Sequence, residues 1–187
     1  MGLAYVLGAG PMADIFLAAF RFPNVMRRLF AEGLLSTALV PSYVSLRSKV
    51  SPEAADGLAR AMLLRLLSWG IPLLLLVLLG ADHLARIMIP GLEEAHYLKQ
   101  AADLFRICLP YGLAAMVAAL AMGVLHGREQ FLLPALSPAL FNLCLLAGIL
   151  ACTILPGAPN MVLAWAVLAA GLMQAAMLLL PAAMGVK

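Results

Sequence analysis

Charge is what this sequence lacks most. Of its 187 residues, 11% are Asp, Glu, Lys or Arg and 65% are hydrophobic, whereas a soluble domain carries roughly 25% charged and 45–50% apolar residues. From Gln130 to Val186 there is no charged residue at all. With a mean hydropathy of +1.03, the chain cannot cover a water-facing surface, which excludes a soluble globular domain. Cysteine is scarce too. Cys108, Cys144 and Cys152 lie scattered in apolar runs without CxxC spacing, so they read as small packing residues and not as a disulfide framework or thiolate metal site. His83, His96 and His126 have no ligand spacing, and no metal is expected. Nor is there a phosphate loop, a Ser/His/Asp arrangement or a pair of carboxylates, so neither bond-breaking chemistry nor a cofactor is expected. The net charge of +3 sits beside apolar runs, where membrane orientation accounts for it better than nucleic acid does.

What the sequence has in plenty is apolar runs near the roughly 20 residues that a spanning helix needs. They predict an all-α integral membrane protein, a single polytopic helical domain over 1–187. Spans are expected at about 12–43, 61–80, 102–125, 133–155 and 161–185. Residues 1–9 are too short to span and lack the basic start and cleavage site of a signal peptide, so they read as a truncated first span. The run 12–43 exceeds the hydrocarbon thickness and must tilt or bend, for which Pro23, Gly33 and Pro41 offer places. Ser51-Pro52-Glu53 fits a helix start, with Ser51 as the cap and Pro52 at the first position. Residues 81–100 read as an interfacial loop. The ladder Ala115, Ala119, Gly123 and the pair Gly171, Ala175 predict close helix contacts, and Asn142 an interhelical hydrogen bond. Pro156 to Asn160 divides the last two spans into a hairpin. Arg47, Lys49, Arg60, Arg65, Arg128 and Lys187 gather on one side, and Arg86, Lys99 and Arg106 on the other. The first side is cytoplasmic by the positive-inside rule.

The chemistry lies in Asp14 to Val44. Ionisable residues in a span are expensive and usually face a bundle interior or a watery cavity. At 100° per residue, Asp14, Arg21, Arg28 and Glu32 fall within about 40° of one another on a helical wheel. Arg27-Arg28 presents two planar donor forks suited to phosphate oxygens. Two structural readings stand beside the substrate role: an Arg28–Glu32 pair at i, i+4, and arginines that only set topology at the interface. Asp14 fits equally a gating or ion-pairing role and an ordinary residue at the positive end of the helix dipole.

The run GAGPMADIFLAAFRFPNVMRRLFAEGLLSTALVPSY resembles the first part of the MurJ/MviN family, the lipid II flippases of bacterial peptidoglycan synthesis. Pro90-Gly91-Leu92, Leu109-Pro110-Tyr111, Leu133-Pro134-Ala135 with Pro138, and Leu163 to Val167 continue the resemblance, in order, along the chain. It implies two helical lobes around a cationic cavity in the bacterial inner membrane, of which this chain would supply the latter part of span one through span six. By position, Asp14, Arg27, Arg28 and Glu32 match charged family residues. The arginines are implied to engage the diphosphate and sugar-peptide head group of lipid II, with the prenyl tail in membrane lipid. A second lobe is expected as partner, no nucleic acid is, and alternating access would run without an enzymatic step. The alternatives are an exporter of another lipid-linked oligosaccharide, or an inactive or scaffolding membrane fragment.

Overall fold

The computed structural model of the chain describes residues 10–29, 38–89, 95–154 and 158–184. Among these, every regular element is helical: α1 (Pro11–Arg28), α2 (Val40–Lys49), α3 (Pro52–Leu79), α4 (Ala81–Met88), α5 (Ala95–Gly127), α6 (Leu132–Ile154) and α7 (Pro159–Met184). Four of them, α3, α5, α6 and α7, are long and apolar enough to cross a membrane. The expected truncated span 1–9, with Glu32, Gly33, Pro90-Gly91 and Lys187, lies outside the described residues. Within the expected span 12–43, the structure describes α1 and the start of α2.

The helices overrun their apolar runs. The third helix begins at Pro52, nine residues before the apolar stretch, and α5 begins at Ala95, seven residues before its own. Hydropathy marks the part of a helix that lies in hydrocarbon, whereas caps set where the helix starts. At α3 the expected cap is present: the Ser51 hydroxyl accepts a hydrogen bond from the Ala54 amide at 3.2 Å, satisfying one orphan donor of the first turn. The stretch after Gly80 forms α4, a helix in place of the expected loop. It buries Ala81 and Ala85 and is pinned to α5 through Asp82–Arg106 at 2.7 Å.

The central helix is α5, on which α1, α2, α3, α4 and α7 all pack, while α6 lies mainly on α7. Lipid is as apolar as leucine, so helix association in a membrane depends on close packing and interhelical hydrogen bonds. The small residues meet that need. A Cβ on Gly112 would come 3.2 Å from the Pro23 Cβ, and one on Gly123 3.1 Å from the Leu39 side chain. Gly148 likewise opposes Ala166, and Gly171 opposes the Tyr111 ring. Four aromatic rings close the junction of α1, α5 and α6: Phe20 stands 5.9 Å from Tyr111 and 6.3 Å from both Phe16 and Phe141.

One expectation is corrected. Asn142 is exposed and makes no interhelical hydrogen bond among the described residues. That bond belongs to Gln174 of α7, whose Nε2 donates to the Ser137 carbonyl at 2.8 Å and to the Ser137 Oγ at 2.9 Å. The face of α6 that meets α7 carries Ser137 and Gly148, and Asn142 falls on the other side.

Candidate functional site

On α1, Ile15, Phe16, Ala19 and Pro23 are buried, a spacing of three to four that lays one face on α5. The residues turned outward are Asp14, Leu17, Arg21, Val25 and Arg28, all exposed. Three charges thus share the outer stripe with two aliphatic residues. Arg27 lies between the faces, half-buried. Its Nε donates to Asn24 Oδ1 at 3.1 Å, and its guanidinium reaches the Tyr111 side chain. Asp14 stands in the first turn of α1, so both of its readings stay compatible with its place. Glu32, expected to share the stripe, lies outside the described residues, and with it the Arg28–Glu32 pair.

The depth of the arginines follows from helix register. Pro23 meets Gly112, and Tyr43 meets Gly127, so α1 and α2 run in the same direction as α5. Arg27 is four residues beyond Pro23, about 6 Å along the axis, which puts it level with Met116. That residue is the middle of the uncharged run Ile107–Leu125. The arginine pair is therefore level with the uncharged run of α5.

A second cluster lies at the end of the bundle that collects the basic residues. The fifth helix ends in a turn where the Gln130 amide donates to the Leu125 carbonyl at 2.9 Å and the Glu129 amide to that of His126 at 3.0 Å. Glu129 takes the left-handed position (φ 62°), the place where helices usually carry glycine. This turn aims Arg128 back into the bundle, with its side chain 6% exposed. Its Nη2 donates to Asp56 Oδ1 at 2.8 Å, Nε to the Tyr43 hydroxyl at 2.9 Å, and Nη1 to the Pro181 carbonyl at 3.3 Å. The Tyr43 hydroxyl donates in turn to Asp56 Oδ1. One arginine thus ties α2, α3, α5 and α7 together.

Beside this knot lies a cavity of about 610 Å³ between α3, α5 and α7. A smaller apolar hollow of about 190 Å³, bordered by Pro23, Gly70 and Gly112, lies at mid-depth. Neither is lined by Arg27 or Arg28; their side of α1 is the open flank. Sequence reasoning counted Arg128 only toward topology and passed over Asp56 and Tyr43. These partners stand 72 and 85 residues from Arg128, beyond the reach of any periodicity.

Residues 3–185 match the family model described as Lipid II flippase MurJ. The chain belongs to the lipid II flippase MurJ family. It is 33% identical over 174 residues to the lipid II flippase MurJ of Burkholderia cenocepacia, covering 92% of this chain and 34% of that protein. The probable lipid II flippase MurJ of Rhizobium tropici is 31% identical, with 93% and 34% covered. For that of Haemophilus influenzae the figures are 31%, 92% and 35%. The chain spans about a third of the length of the curated MurJ relatives it matches. It is a multi-pass helical protein of the bacterial cytoplasmic membrane.

Proposed function

We propose that this chain forms one lobe of a flippase that moves lipid II, the undecaprenyl-diphosphate-linked peptidoglycan precursor, from the inner to the outer leaflet. The observation that carries the proposal is the outer stripe of α1. Asp14, Arg21 and Arg28 are exposed on a helix whose other face packs on α5. A charge facing hydrocarbon near the middle of a span is penalised by roughly 2.5–3.5 kcal/mol or more; that cost would fall on Arg28, whereas Asp14, in the first turn of α1, stands nearer the membrane surface. The stripe is stable in a membrane if it faces water, which a second lobe closing around it provides. In that cavity Arg27 and Arg28 replace the water stripped from the diphosphate, Asp14 and Glu32 set the local charge balance, and the prenyl tail stays in lipid. One lobe rocking against the other then exposes the site alternately to each side. The process needs no bond-breaking step, and the protein acts as a transporter, not an enzyme.

The test is Arg28→Ala in the complete flippase, assayed by rescue of a flippase-depleted strain and by membrane insertion. The expected outcome is loss of rescue with normal insertion. Full rescue by the variant refutes the cavity role. A precursor-translocation assay on the 187-residue form beside the two-lobed protein separates a working lobe from a scaffold.

A further inference from the structure

The large cavity at the cytoplasmic end has no part in the flipping mechanism above. It exists because α3 and α7 both pack on α5 but scarcely on each other. Its wall is divided by polarity. Glu53, Asp56 and Arg60, on one face of α3, form a polar rim with Arg128, and the floor between them is made of Leu63, Leu120, Val124 and Leu179. Leu120 and Val124 belong to the uncharged run of α5, whereas Arg128 lies just past the end of that helix. The rim therefore stands at head-group level and the floor in the hydrocarbon of the cytoplasmic leaflet.

Charge on the rim is unevenly engaged. Asp56 is taken by Arg128 and Tyr43. Glu53 is held at the start of α3 by its own backbone amide and the Ser51 hydroxyl. Arg60 is exposed and makes no hydrogen bond or ion pair among the described residues. Arg128 commits three of its five N–H groups. The rim thus balances two carboxylates against two guanidiniums, leaves the Arg60 donors unengaged, and stands over an apolar slot, in a cavity within the roughly 300–1,000 Å³ typical of ligand pockets.

We propose that this cavity binds a phospholipid of the cytoplasmic leaflet, its phosphate against Arg60 and Arg128 and an acyl chain along Leu63 and Leu120. Guanidinium donors beside a hydrocarbon slot suit a phospholipid because they meet the phosphate oxygens while the chain stays in an apolar groove. The site is separate from α1, so it stands or falls independently of the flippase reading.

Two variants test it without dismantling the knot. A Cβ at Gly57, on the cavity wall, meets nothing within 4 Å, so the first atom of a larger side chain has room there, and Gly57→Phe is the variant chosen to obstruct the cavity. Arg60→Gln removes the unpaired charge. Native mass spectrometry of the full chain titrated with dioleoyl-phosphatidylglycerol is expected to show one tightly retained lipid, and each variant to weaken that retention about tenfold. Equal retention by the native chain and both variants overturns the site. Displacement of the lipid by millimolar inorganic phosphate overturns the lipid as occupant and assigns the site to a free anion.

Discussion

Two groups of arginine in this chain have opposite surroundings. Arg128 is buried at the end of the bundle that collects most of the basic residues, with its donors on Asp56, Tyr43 and the Pro181 carbonyl. Arg27 and Arg28 lie level with the uncharged run of α5, on or beside a face of α1 turned out of the bundle, Arg28 exposed and Arg27 half-buried. A guanidinium is awkward in both places, and the chain handles the two differently. The buried one is surrounded by acceptors from three other helices, which makes it a structural bolt. Arg27 instead holds Asn24 on its own helix and reaches the Tyr111 side chain, and Arg28 stands on the exposed face of α1. Burial and the joining of distant helices, not residue type, set Arg128 apart from the pair on α1.

Four changes sharpen or break this contrast, beyond the loss of rescue expected for Arg28→Ala. The largest effect on stability is expected for Arg128→Met, which leaves Asp56 and Tyr43 without their shared donor. Reversible unfolding in mixed micelles should show a loss of about 3 kcal/mol, the lower end for a broken buried pair because Asp56 is half-exposed. A loss as small as that of a surface substitution would mean the bolt is not structural. Next comes Gly171→Leu, which drives a side chain into the Tyr111 ring and so loosens the aromatic junction that holds α1. Overpacking of this kind costs about 1–3 kcal/mol, read by the same unfolding. Gln174→Leu removes the bond to Ser137 and should cost about 0.5–1.5 kcal/mol, with Ser137→Ala in the Gln174→Leu background adding little. The smallest effect has the opposite sign. Glu129→Gly relieves a left-handed residue at the end of α5 and should raise stability by about 0.5–1 kcal/mol.

How much of this was legible in the sequence differs between the two groups. The stripe Asp14, Arg21, Arg28 could be read from a helical period, and its members do share one outer face. The knot could not be read, because Arg128 meets Asp56 and Tyr43 through a turn whose left-handed position is held by Glu129 and not by glycine, and across 72 and 85 residues. Asn142 shows the limit from the other side. A polar residue in an apolar helix signals a hydrogen bond somewhere on that helix, yet only the packing of α6 on α7 decides that Ser137 and Gln174 make it.

The sequence by itself determined that this chain lives in a membrane and that four of its helices are long and apolar enough to cross it. Hydropathy and helical period are local properties, fixed by neighbours within a few turns. The tertiary structure alone decided which arginine is enclosed and which faces outward, and that α3 and α7 leave a charged-rimmed cavity between them. Those outcomes depend on where small residues let helices approach, and a close approach is a relation between distant segments that no local pattern records.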